Sequence, residues 1–250
     1  MRYFIQFSYF GKKYHGWQNQ PNAITVQEVL EGVVSKLLRS PVEIVGAGRT
    51  DTGVHAREMF GHFDFEPIVD IENLIYRINA FLPGDIAAQG IFPVQDDTHA
   101  RFHAISRSYE YWVCQKKDPF YKDTAFFVKK PLNLDLMNTA AELLLGKQDF
   151  ECFSKSKTDV KTYFCDVRTV YWEQEGDKLV FKITADRFLR NMVRAIVGTL
   201  LDVGHGKYPP KHVKAILKSK DRSEAGVSVP AKGLYLTSIT YPKNIFKHER

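Results

Sequence analysis

The sequence predicts an α+β fold, and two observations carry that expectation. Short runs alternating apolar and polar residues, the strand period, are interleaved with longer runs whose apolar residues recur every three or four positions. Up to residue 92 the order of these runs is strand, helix, strand, strand, helix, strand, and after Arg107 the same order begins again without visible sequence identity.

Residues 2–9 alternate Tyr, Ile and Phe with polar residues, as a half-buried strand does. Thr25-Val26-Gln27-Glu28 has the form of a capping box, and Val26, Val29, Leu30, Val33, Leu37 and Leu38 then follow helical spacing until Ser40-Pro41 stops it. The β-branched run after Pro41 places a strand over 42–48, and His62-Phe63-Asp64-Phe65 alternates as the next one. A helix over 70–81 carries Ile71, Leu74, Ile75 and Ile78, and Leu82-Pro83-Gly84-Asp85 turns into a strand over 86–92. This is the element order of a ferredoxin-like unit.

In the second half, a strand over 108–114 is followed by a helix over 134–145. A hairpin of 165–173 and 178–184 turns at Gly176-Asp177. Helices over 189–203 and 212–217 and a strand over 233–241 complete the chain. The reading is two ferredoxin-like or RRM-like units, 1–104 and 105–250. Their largely antiparallel sheets are expected to join edge to edge around a central cleft, the default place for a site.

The chain has 250 residues, a net charge of +6 and 13% aromatic residues. A basic balance points to an acidic partner, nucleic acid being the commonest. Three cysteines, Cys114, Cys152 and Cys165, lack C-x-x-C spacing, and their odd count argues against a disulfide framework. The N-terminus has no signal-peptide pattern and no apolar run approaches the ~18 residues of a membrane helix. The expectation is a cytoplasmic protein without a membrane segment.

The stretch Gly46 to Ala56 reads Gly-Ala-Gly-Arg-Thr-Asp-Thr-Gly-Val-His-Ala. It is not a dinucleotide fingerprint, because Asp51 stands where a third glycine belongs. It is not a phosphate loop, because Val54-His55 replace the Lys-Ser/Thr pair. What remains is a carboxylate, Asp51, two positions from a cation, Arg49. Asp51 could cap its own turn. It could belong to an aspartic-protease Asp-Thr-Gly, which would need a second such carboxylate from a homodimer.

Other candidates stand further off. Residues 9–18 interleave aromatics with bases, as a packed turn or as a loop facing nucleic acid. His99 and His103 have zinc-helix spacing, but Arg101 lies between them and neither has a Glu beside it, so no metal is expected. Tyr109 opens a strand, where aromatics commonly pair across the sheet. Arg187, Arg190 and Arg194 stand at the edge of an apolar helical stripe, where an arginine needs an anion or a route to water. Asp51 is a suitable anion.

With these residues in view, Gly48-Arg49-Thr50-Asp51-Thr52-Gly53-Val54-His55-Ala56 resembles the signature of the tRNA pseudouridine synthase A family. Tyr14-His15-Gly16-Trp17-Gln18, Leu82-Pro83-Gly84-Asp85-Ile86, His99-Ala100-Arg101-Phe102, Arg107-Ser108-Tyr109-Glu110-Tyr111, Met192-Val193-Arg194-Ala195-Ile196 and Gly233-Leu234-Tyr235-Leu236 resemble further family blocks in the same order. The resemblance spans essentially the whole chain. It implies the pseudouridine synthase fold and a cofactor-free isomerase acting on uridine in the anticodon stem-loop of tRNA. By the same resemblance Asp51 is the nucleophile, Tyr109 stacks on the target base, and Arg194 pairs with Asp51. Arg49, Arg101, Gln18 and Leu236 become substrate contacts, and the assembly a homodimer carrying tRNA across both subunits. Two places depart from the family pattern: Arg190-Asn191, where members often carry histidines, and Ser154 to Thr158, which matches no family motif. A non-catalytic RNA-binding protein is the alternative, and it leaves Asp51 unexplained.

Overall fold

The structure is a computed structural model describing residues 1–155 and 160–247. Ser156, Lys157 and Thr158 of the unmatched polar segment lie outside the described residues. The chain divides into two units, Met1–Ile105 together with Leu236–Arg250, and Ser106–Tyr235.

In the first unit the chain runs through β1 (Arg2–Tyr9), α1 (Val26–Leu38), β2 (Val45–Gly46), β3 (His55–Asp64), α2 (Ile71–Phe81) and β4 (Ile86–Val94). β1 lies between β4 and β3, both antiparallel to it, and β2 pairs with β3, so the sheet order is the ferredoxin-like 4-1-3-2. The capping expectation holds: Thr25 Oγ1 accepts the N–H of Glu28 and α1 begins at Val26. Asp70 caps α2 in the same way by accepting from Asn73 N–H.

Two boundaries differ from the sequence reading. The strand expected over 42–48 shrinks to β2, because side chains of α1 take the backbone before it. Val42 N–H donates to Ser35 Oγ and Ile44 N–H to Glu31 Oε1. β3 starts at His55, well before the alternation at His62, because all but three of its residues are buried, so both faces are covered and the period-2 signal fades.

The second unit contains β5 (Ser106–Cys114), β6 (Phe126–Phe127), α3 (Leu134–Glu142), β7 (Gly146–Asp149), β8 (Phe164–Glu175), β9 (Lys178–Ala185), α4 (Met192–Gly204) and α5 (His212–Ser219). Its sheet runs β5-β9-β8-β7, antiparallel throughout, with β6 alongside β5 in parallel. The β8–β9 hairpin turns at Gly176-Asp177, with Gly176 at φ +58° as a two-residue turn requires. α3 is stitched to β8 by Asn138, which donates to Trp172 O at 3.0 Å and accepts its N–H at 2.7 Å. α4 is buried almost all round, which is why its sequence is apolar beyond a single stripe.

β10 (Leu234–Thr240) carries the chain back to the first unit and pairs with β3. The tail beyond it fastens to the β4 end of the first sheet. Phe246 bridges Val94, and Gln95 N–H donates to Ile245 O at 3.0 Å. Residues 236–250, placed with the second half in the sequence reading, therefore cluster with the first unit.

Candidate active site

The motif turn links β2 to β3. Val54 N–H donates to Asp51 O at 3.2 Å, closing a β-turn over Asp51–Val54. Gly53, third in that turn, sits at φ +78°, the conformation that favours glycine in a type II turn. Asp51 opens the turn and is half-buried, while its neighbours Arg49 and Thr52 are exposed.

The turn is held from outside by the loop that follows β1. Gly53 N–H donates to Tyr14 O at 3.3 Å, Tyr9 and Thr50 hydroxyls meet at 2.9 Å, and Gly11 N–H donates to His55 Nδ1 at 2.9 Å. The Phe10 ring stacks on His55 with centroids 4.2 Å apart. The two backbones touch where this loop has glycine. A Cβ on Gly11 would stand 1.9 Å from Val54 O, and one on Gly16 (φ +88°) 2.2 Å from Thr50 O.

The aromatic and basic residues of this loop divide by environment. Tyr14 and Trp17 are buried, whereas Lys12, Lys13, His15 and Gln18 are exposed. Tyr14 anchors the loop by donating its hydroxyl to Asp85 Oδ1 at 2.6 Å, and Lys13 Nζ lies 3.2 Å from the other oxygen. Burial pushes the Asp85 carboxyl up, but the Tyr14 and Lys13 bonds outweigh it and hold it below its usual value. The loop thus presents its basic residues outward over a packed aromatic floor.

In the second unit, Tyr109 sits on β5 opposite Ile183 of β9, half-buried, with the Phe188 ring edge-on at 5.0 Å. Arg107 beside it donates from Nη1 to Asp186 O at 2.9 Å. Arg194 lies in the first turn of α4. Its Nε donates to Val229 O at 2.7 Å, and Val229 N–H donates back to Arg194 O at 3.2 Å. The side chain is half-buried and its Nε is oriented by Val229 O, while the backbone bond ties Val229 to the helix. Close packing keeps residues 226–229 against α4. A Cβ on Gly198 would meet Val227 O at 1.9 Å, and Gly226 N–H donates to Thr199 Oγ1 at 2.8 Å.

The expected helix over 189–203 begins only at Met192, after Asn191 at φ +67°. Arg187 and Arg190 therefore precede the helix and do not share its face with Arg194. Arg187 N–H donates to Asp186 Oδ1, and Arg190 O accepts from Lys155 N–H. Of the remaining sequence candidates, Gln18, Arg49 and Arg101 are exposed and Leu236 is buried at 2%. His99 and His103 lie in a tight turn, where His99 N–H donates to His103 Nδ1 at 2.9 Å. Among the described residues no group of three or more His, Cys, Asp or Glu could hold a metal ion, and no helix is long and apolar enough to cross a membrane. Cys152 and Cys165 are free and buried, and burial pushes both thiols up to about 12.

The sequence reading singled out Asp51, Tyr109 and Arg194. It does not show the contacts that seat the turn and Arg194, made by Gly11, Gly16 and Asp85 around the turn and by Val229 beside the arginine. The glycines were visible as letters, but their contacts span about forty residues and leave no local pattern.

The first unit is thus an α+β unit of ferredoxin-like order that carries a glycine-framed carboxylate, Asp51, between β2 and β3. The chain belongs to the tRNA pseudouridine synthase family, whose model matches residues 5–103 and 140–242. It is 50% identical to tRNA pseudouridine synthase A of Parabacteroides distasonis, covering 99% of both chains. It is 48% identical to the protein of that name from Porphyromonas gingivalis, over 98% of this chain and 99% of the other. It is 36% identical to that from Francisella tularensis subsp. holarctica, over 99% and 96%.

Proposed function

We propose that this chain isomerises uridine to pseudouridine in the anticodon stem-loop of tRNA. What supports the reading is family membership over nearly the full length, with the Asp51 motif intact on its turn. In the reaction the N1–C1′ bond breaks, the uracil turns, and a C5–C1′ bond forms. The C5 proton leaves and N1 gains one. Nothing is oxidised, and the family resemblance assigns no cofactor.

Asp51 is the nucleophile or base. Arg194 is its ion-pair partner. Tyr109 stacks on the target base, replacing the stacking lost when the nucleotide leaves the helix. Arg49, Arg101 and Gln18, all exposed, are contacts for the polyanion, and the +6 net charge suits it. Leu236 is a further substrate contact by the same resemblance. The working assembly is a homodimer in the cytoplasm.

The test uses tRNA transcribed with C5-tritiated uridine. Release of tritium to water, matched by pseudouridine in the stem-loop, is the expected result. Tight tRNA binding without release, under any condition that keeps the protein folded, would leave the RNA-binding alternative.

A further inference from the structure

Arg194 takes its direction from a segment outside any regular element. Residues 226–230 belong to no helix or strand, yet Val229 O accepts the Arg194 Nε–H. Backbone without a ladder is placed by the side chains that reach it. Arg222 is such a side chain. It is half-buried, in a turn built on Asp221, whose Oδ1 accepts Ser223 N–H at 2.8 Å and whose carbonyl accepts Glu224 N–H at 3.3 Å.

The hydrogen bonds described for Arg222 all reach this one segment. Nη1 donates to Ala225 O at 3.3 Å and to Gly226 O at 3.2 Å, and Nη2 donates to Ser228 Oγ at 2.8 Å. The same hydroxyl oxygen accepts from Asn191 Nδ2 at 2.6 Å. Asn191 stands directly before α4, so Ser228 is held from the start of the helix and from Arg222 at once. A half-buried guanidinium ordinarily takes a carboxylate or a route to water. This one turns to neutral acceptors, and its planar fork spans three of them in fixed geometry, which a single ammonium cannot do. Moving Ser228 moves Val229, and Val229 is tied to Arg194 both through its carbonyl and through its N–H.

We propose that Arg222 is a positioning residue for Arg194: by holding residues 225–228 it fixes where Val229 O stands, and with it the direction of the Arg194 guanidinium. This role rests on the reading that Arg194 serves Asp51 in turnover. The test measures tritium release from bound, C5-tritiated tRNA and Kd for that tRNA, with Arg222→Ala and Arg222→Lys made in the wild type and in Arg194→Lys. In the wild type, Arg222→Ala should slow release on the order of tenfold with Kd unchanged, short of the roughly hundredfold that a displacement of about 1 Å costs. Arg222→Lys should recover little of that loss. In Arg194→Lys, which has no Nε–H for Val229 O, Arg222→Ala should slow release no further. The same fold-loss in both backgrounds would overturn the proposal and make Arg222 a support of the fold alone. Full recovery by lysine would overturn it too, as would a rise in Kd with release from bound tRNA intact, which would make Arg222 a phosphate contact. If Arg222→Ala does not fold, Ser228→Ala removes the shared acceptor and should show the same dependence on Arg194. A second readout needs no turnover. The Arg194 Nε–H resonance, assigned by its absence from Arg194→Lys, should be lost to exchange with water in Arg222→Ala, and a retained signal would overturn the positioning. Release by Arg194→Lys at the wild-type rate would refute the role of Arg194 in turnover instead, and the resonance would still test the tie.

Discussion

Gly11 N–H donates to His55 Nδ1 at 2.9 Å, tying the loop after β1 to the residue where the motif turn becomes β3. With the close approach of Gly16 to Thr50 O, this contact seats the Asp51 turn on a neighbouring backbone. The position of the carboxylate is set by residues about forty positions away as much as by the turn itself.

Gly16→Ala tests that seating. The added Cβ must displace Thr50 O, next to Asp51, and alanine is strained at φ +88°. Overpacking of this kind costs roughly 1–3 kcal/mol. Displacing a reacting group by about 1 Å lowers turnover on the order of a hundredfold. Gly32→Ala is the matched control: it lies within α1 with open space around its Cβ position and should gain roughly 0.5–1 kcal/mol of stability without changing turnover. Equal turnover in the two variants, measured on bound tRNA, would remove the role given to the loop.

Arg194 is tested by a pair of substitutions. Arg194→Leu should lower turnover far more than tRNA affinity, because it removes the cation proposed to pair with Asp51. Arg194→Lys should recover only part, since lysine has no Nε–H for Val229 O and loses the orientation that this bond provides. A fall in affinity with turnover on bound tRNA intact would make Arg194 an RNA contact.

The boundaries that sequence periodicity conveyed were those with local causes. Thr25 and Asp70 announce α1 and α2 because each caps within three residues. The start of β3 was hidden because burial on both faces removes the alternation between His55 and His62. The start of α4 was hidden because Leu189 is buried in the segment before the helix and so extends its apolar pattern. The candidates Asp51, Tyr109 and Arg194, and Asp85 with them, stand in spaced family blocks, but what they contact does not show there. The contacts of Gly11 with His55 and of Val229 with Arg194 leave no periodic trace, since they are hydrogen bonds across the fold.

His62 gives the fold an acid limit. Burial, then the charges of His99 and Arg2, lower its pKa from 6.5 to about 4. Between these values the unfolded chain binds a proton that the folded chain does not, so stability rises with pH and is lost as pH falls from about 6.5 to about 4. The slope from this one group approaches about 1.4 kcal/mol per pH unit. Urea titrations across that range should show it in the wild type and a shallower slope in His62→Gln. The same slope in both would assign the acid sensitivity to other groups.

The most direct measurement of the central claim is single-turnover tritium release from C5-tritiated tRNA, with wild type and Asp51→Ala each in excess over RNA. The account predicts release with the wild type, and none above background with Asp51→Ala, although that variant still binds the tRNA. Equal release from the two would contradict the role of Asp51 and, with it, the reading of the turn as the active site.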